Sequence, residues 1–334
     1  MIKTTFLVAG LALICTPVAQ AGEKPVLDVY TYDSFVSDWG PGPAVEKAFE
    51  AVCDCDLVFT GAGDGAALLA RVQLEGARTK ADVVLGLDTS LTARAAETGL
   101  FAAHGRLPIH PSLPGGWNDA TFLPYDWGYF AFVYDKTRLA SVPGSFKDLA
   151  DAPDDLKIVI QDPRSSTPGL GLLMWIKASY GDQAAGIWQG LAPHILTVTK
   201  GWSEAYGMFL AGEADMVLSY TTSPTYHLVA EQDDTKAAAR FREGHYMQVE
   251  VAGKLASTKN PELADRFLDF MMSDAFQSII PTTNWMYPAF MPGTGLPKGF
   301  ETTIAPETAL LLAPQKAEAI RKQALDEWLT ALSK

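Results

Sequence analysis

Short apolar runs alternate with segments of helical periodicity along most of the chain. Val26-Leu27-Asp28-Val29-Tyr30 reads as a strand and Ala44 to Ala51 as a helix. Leu57-Val58-Phe59 is a second strand that ends in a glycine-rich turn. A helix follows over Ala66 to Glu75, with Leu68, Leu69 and Val72 on one face, and Ala81 to Leu87 is a third strand. Such alternation predicts a parallel sheet with helices on both faces. A second series repeats it: Lys157 to Gln161 strand, Gly169 to Tyr180 helix, Thr197 to Thr199 strand, Ser203 to Ala211 helix, Asp215 to Ser219 strand. Two α/β units are expected.

Two extended runs stand apart from these series. Phe122 to Tyr134 is a long aromatic stretch, and Tyr246 to Val251 is a second strand-like run. After it, Asn260 and Pro261 read as the N-cap and first residue of a helix whose apolar face is Leu263, Phe267 and Met271. If both runs cross between the units, the chain passes out and back. This predicts one lobe from residues 22–128 plus 250–334, a second from 129–249, a strand hinge, and a ligand cleft between them. Pro306 to Ser333 is helix-like.

The amino terminus precedes this pattern. Met1-Ile2-Lys3 is a basic start, Phe6 to Cys15 an apolar run and Ala19-Gln20-Ala21 a small-x-small site. Together they predict a cleavable signal peptide over residues 1–21, too short in its apolar part to span a membrane. Bulky Ile14 before Cys15 argues against a lipoprotein anchor. In an oxidising compartment the remaining cysteines, Cys53 and Cys55, are a candidate disulfide. Extended i, i+2 residues lie about 6.6 Å apart, so pairing requires a turned backbone, which Asp54 suits. Either state stays open on sequence alone. No metal site is expected, since two thiolates need further ligands and the five His are scattered. A net charge of −13 works against nucleic-acid and anionic-membrane partners.

Candidate chemistry gathers where strands end. Gly61-Ala62-Gly63-Asp64-Gly65-Ala66 matches G-x-G-x-x-A, with Asp82 about 20 residues on, as in dinucleotide sites. Export disfavours a nicotinamide cofactor, and Asp64 inside the turn would repel a pyrophosphate. A ligand loop offering N–H groups and one carboxylate is the better reading, beside an ordinary βα turn. Asp162 to Gly171 carries Ser166-Thr167-Pro168 at a helix start, either an anion-binding corner or simply a well-capped helix. Lys200 to Gly207 includes Trp202, and Ser219 to Tyr226 holds two tyrosines and a run of hydroxyls. Tyr30 to Ser34, Trp39 and Asn284 to Pro288 add further loop aromatics. Large aromatics at strand ends either pack on neighbouring loops or line a cleft. There is no G-x-S-x-G, no H-E-x-x-H and no marked carboxylate pair, so binding is expected and catalysis is not.

Carrying these segments, the mature chain resembles the thiamine-binding periplasmic proteins of bacterial ABC importers, a branch of the type II solute-binding proteins. The resemblance rests on Tyr30 to Phe35 with Asp38 to Pro43, Ala81 to Asp88, Gln161 to Gly171, Val198 to Gly207, Leu218 to Pro224, and Asn284 to Pro288. It implies a two-lobed type II periplasmic-binding-protein fold, with mixed, mostly parallel sheets and flanking helices. It implies a monomer in the periplasm that captures thiamine and its phosphate esters, with no cofactor, for an inner-membrane permease and its ATPase. The implied ligand positions are Asp64, Gly65, Ser166, Thr167, Trp202, Tyr220, Thr221, Thr222 and Ser223, completed by Tyr32, Trp39, Tyr226 and Trp285. Thiamine carries a thiazolium cation, which aromatic faces and Asp64 would hold, and a tail that Ser166-Thr167 would take. The alternatives are the same fold binding ferric iron or a polyamine, or a secreted hydrolase. No Tyr-Tyr pair suits iron, a single assigned carboxylate is few for a polyamine, and no nucleophile–base pair is visible.

Overall fold

A computed structural model describes residues 24–333; the expected signal peptide, 1–21, lies outside them. The main strands are β1 (Val26–Thr31), β2 (Asp56–Gly61), β3 (Val83–Asp88), β4 (Phe122–Asp135), β5 (Ile158–Gln161), β6 (Ile195–Thr199), β7 (Met216–Tyr220) and β8 (His245–Lys254). The helices used below are α1 (Gly42–Cys53), α2 (Gly65–Glu75), α3 (Thr92–Glu97), α4 (Thr167–Tyr180), α5 (Ala184–Leu191), α6 (Trp202–Leu210), α7 (Pro261–Met271) and α8 (Pro314–Leu332). The strands run in the order β2-β1-β3-β8-β4-β7-β5-β6; short strands at Lys236–Ala238 and Tyr287–Pro288 add to β4, and Ala309–Leu310 adds to β8.

Pairing is parallel within each α/β series and antiparallel where the series meet. The centre is β4. Phe122 to Tyr129 pair with β8, whereas Phe130 to Tyr134 pair with β7. One continuous strand therefore serves both halves, and β8 runs antiparallel beside its first half. β4 and β8 are buried along almost their whole length, which accounts for their apolar sequences.

Aromatic packing fills the cores. Beneath the first half, Phe49 of α1 meets Phe267 and Phe270 of α7 at ring separations of 5.1 Å each. In the second half, Trp175 of α4 lies against Phe146 and Phe241. Cys53 and Cys55 are bonded at the end of α1, with a Cα–Cα distance of 5.2 Å. Asp54 adopts a left-handed φ of 52°, the turned backbone that the short spacing demands.

Three local features refine this picture. Asn260 occupies the N-cap of α7 but gives it no side-chain bond; its amide donates to the Val26 carbonyl and ties the helix to β1. α6 begins at Trp202 with Gly201 as its N-cap, so Ser203 lies inside the helix. The last helix touches both halves. α8 packs mainly on α4 and α5 and also touches α3. Lys177 Nζ bonds Glu327 Oε1 at 3.0 Å in this interface, the Lys side chain 5% and the Glu 14% exposed. No helix among the described residues is long and apolar enough to cross a membrane.

A largely buried ion pair is costly to break from one side, because the surviving charge keeps its desolvation penalty. Glu327→Ala should therefore lower stability by about 3–5 kcal/mol. A urea titration followed by circular dichroism checks this; an unchanged midpoint would show that α8 is not anchored through Lys177.

Candidate functional site

A cleft of about 380 Å³ lies between the two halves, at the carboxyl ends of the parallel strands. Parallel α/β sheets leave free loops and helix N-termini at that end. The cleft collects them from segments distant in sequence.

Asp64 joins the two sides. It follows β2 at the N-cap position of α2 but makes no side-chain bond to that helix. Its Oδ2 instead accepts from Ser166 Oγ at 2.7 Å and from the Trp202 backbone N–H at 3.2 Å. Alongside, the Gly65 N–H donates to Thr167 Oγ1 at 3.2 Å. A Cβ at residue 65 would stand 2.3 Å from that oxygen and 2.9 Å from the Gly86 carbonyl, so only glycine permits this approach. The hydroxyls of Ser166 and Thr167 are thus engaged with the opposite side of the cleft. Burial pushes the Asp64 carboxyl up to about 6, against the lowering effect of the Ser166 and Trp202 bonds.

Aromatic rings form the walls. Trp202 stacks on Tyr206 at 4.9 Å and faces Trp39 across the cleft at 6.2 Å. Trp202 Nε1 donates to Ser219 Oγ at 2.9 Å, which fixes the indole plane. Tyr226 meets the edge of Trp285 at 5.4 Å. Tyr220 stacks on Phe130 and donates its hydroxyl to Gln248 Oε1 at 3.0 Å. Of the residues implied by the resemblance, Tyr32, Trp39, Asp64, Gly65, Thr167, Trp202, Tyr220, Ser223, Tyr226 and Trp285 border the cavity. Ser166, Thr221 and Thr222 do not. Ser166 stands behind Asp64, Thr222 Oγ1 is turned toward Met286, and Thr221 is buried beside them.

The floor was not anticipated. Glu250 of β8 borders the cavity, and its Oε2 accepts from Tyr125 at 2.8 Å and Tyr32 at 3.1 Å. Opposite it on β4 is Asp126, whose Oδ2 accepts from the Asn284 amide at 2.6 Å. Asp88 of β3 pairs with Glu250 from the other side, so three buried acids form a row across adjacent strands. Burial raises both carboxyls, and Asp126 is held well above its ordinary range with the neighbouring Glu250 charge as the next cause. Burial also raises Asp88, to about 7. Among the described residues, no Lys or Arg borders the cavity. The signal for this floor was present: Gln248 and Glu250 interrupt an apolar run at strand period, and Asp126 interrupts the aromatic stretch. A polar residue in a fully buried strand requires a partner or a ligand.

Two other motifs have structural explanations. Asp82 accepts from the Asp28 backbone N–H at 3.1 Å and serves as a strand-end tie. His227, Glu231 and Asp233 cluster behind Tyr206, but Asp233 is held by Lys236 at 3.1 Å and His227 bridges Glu231 and the Tyr206 hydroxyl. That cluster braces an aromatic wall.

Residues 41–278 match the family model for bacterial extracellular solute-binding proteins. The chain is 55% identical over 324 residues to the thiamine-binding periplasmic protein of Escherichia coli (strain K12), 97% of this chain and 98% of that one. A solved periplasmic thiamin binding protein superposes with a TM-score of 0.90 at 55% identity, covering 93% of this chain and 97% of its own. A ferric binding protein from Campylobacter jejuni, only 19% identical, shares the fold with a TM-score of 0.76.

The Asp64 carboxyl titrates higher folded than unfolded, so the fold binds its proton more tightly and loses stability as pH rises from about 4 to about 6. The loss is at most about 3 kcal/mol, reduced by water in the open part of the cleft. Asp64→Asn keeps an acceptor for Ser166 and Trp202 without the charge. It should be more stable than the parent at pH 7, with the gap closing toward pH 4. Denaturant midpoints measured across that range check it, and a gap independent of pH would contradict it.

Proposed function

The chain belongs to the bacterial extracellular solute-binding protein family, and we propose on that premise that the cleft described above is where it captures thiamine for an ABC importer. It is a thiamine-binding periplasmic protein of that importer type, with a type II two-lobed fold. One observation carries the site assignment. Trp39, Trp202, Tyr226 and Trp285 surround a cavity that holds carboxylates and, among the described residues, no bordering base, the environment that suits a flat organic cation.

In our reading the thiazolium lies among the aromatic rings near Asp64, and the hydroxyethyl or phosphate tail reaches the Gly65, Thr167 and Ser223 side. Ser166, Thr221 and Thr222 support this site from behind. Lobes formed by 22–128 with most of 250–334, and by 129–249, close over the ligand, with β4 and β8 as the hinge. The partner switch at Tyr129/Phe130 supports this division. We further propose that the protein acts as a monomer without catalysis or a resident cofactor. Residues 1–21 would direct its export, and an inner-membrane permease with its ATPase would receive the ligand. Ferric iron and polyamines are not favoured: the tyrosine hydroxyls at the floor are spent on Glu250, and the cavity is walled by rings.

Titration calorimetry with thiamine, its monophosphate and its diphosphate tests the assignment; absence of heat at micromolar protein would overturn it. Removing one ring by Trp202→Ala should weaken thiamine about 2- to 30-fold, the equivalent of about 0.5–2 kcal/mol of cation–π attraction. Affinity for thiamine should also fall as pH drops below about 6, where Asp64 takes up its proton. Affinity flat from pH 5 to 8 would remove Asp64 from the cation's partners.

A further inference from the structure

Gln248 and Glu250 lie two residues apart on β8, so their side chains project to the same face of the strand, and both border the cleft. Each is almost wholly buried, at 1% and 6% exposure. Gln248 Oε1 is occupied by the Tyr220 hydroxyl, and that bond orients the amide so that Nε2 is its remaining hydrogen-bonding group. This Nε2 is buried with no partner among the described residues. A buried N–H donor left unpaired is costly, and a ligand acceptor would relieve it. Glu250 is held through Oε2 by Tyr125, Tyr32 and, at 3.5 Å, the Asn284 amide; none of these donors uses Oε1. The strand thus presents an unpaired donor beside a carboxylate whose Oε1 none of these donors occupies, with Asp126 as that carboxylate's further hydrogen-bond partner.

We propose that Gln248 and Glu250 form the specificity-determining pair for the aminopyrimidine end of the ligand. Glu250 accepts from the exocyclic amino group, and Gln248 Nε2 donates to the adjacent ring nitrogen. This inference rests on the thiamine reading above and extends it to the other ring. Asp126 is a positioning residue: it stands opposite Glu250 on β4, and Asn284 spans the two carboxyls. Asp88 on β3 is the remaining acid facing Glu250. The pair should discriminate by hydrogen-bond polarity. The 4′-oxo analogue of thiamine presents an acceptor where the amino group donates, and a ring N–H where the nitrogen accepts. Both would clash with the groups the strand supplies.

Calorimetric titration of the full mature chain with thiamine and with this 4′-oxo analogue tests the pairing. The unaltered protein should prefer thiamine. Glu250→Gln, which can donate to the oxo group, and Gln248→Leu should each cut that preference by about tenfold, the scale of one hydrogen bond to a charged or buried group. Thermal melts of the ligand-free variants separate this from damage to the fold. Should Glu250→Gln not fold, the Gln248→Leu preference ratio decides alone. A ratio that stays at the parent value, or equal loss of both ligands, would overturn the pairing. Failure of the unaltered protein to bind thiamine would instead overturn the functional reading.

Discussion

The backbone ladder between β4 and β8 is the constraint on which the molecule depends. A strand buried on both faces must have every N–H and C=O paired, so it cannot simply end where one half-sheet stops. β4 meets the requirement by changing partners at Tyr129/Phe130, from β8 to β7. The same ladder carries chemistry. It places Asp126 opposite Glu250 and sets Glu250 beside Asp88, so the structural middle of the protein is also the floor of its cleft.

That floor and Asp64 concentrate acidic groups where no base among the described residues borders the cavity. Buried acids without counter-ions lower the stability of the empty protein, and burial accordingly raises Asp64, Asp88 and Asp126. A cation entering the cleft offsets part of this cost. In the reading proposed above, this destabilised charge supplies affinity for a cationic ring. The surrounding hydroxyls, from Tyr125, Tyr32 and Ser166, hold the carboxylates in place without neutralising them.

Much of this was legible in the sequence, because the signals were local. Strand–helix alternation marked both α/β series, and the runs at Phe122 and Tyr246 proved to be the two long central strands. The aromatics at strand ends and Asp64-Gly65 reached the cleft because parallel topology delivers all such loops to one end. What escaped depends on pairing between strands. Asp126 and Glu250 lie 124 positions apart in number, and only strand register brings them together. Ser166 sits at the helix-start N-cap its pattern marked, yet its hydroxyl serves Asp64 across the cleft, since an N-cap position does not dictate which N–H or carboxylate a side chain chooses. The helical periodicity of the last segment marked α8 but not the surface receiving it, which the Lys177–Glu327 pair and buried Ala317, Ala324 and Trp328 join to the core.

α8 has a mechanical consequence. It rests on α4 and α5 from one half and on α3 from the other, while the strands of the hinge tie the halves at the centre. A body joined along two separate lines cannot gape freely in every direction. The halves are therefore tethered along the α8 rim as well as at the central strands, and any relative movement between them must accommodate this final 19-residue helix.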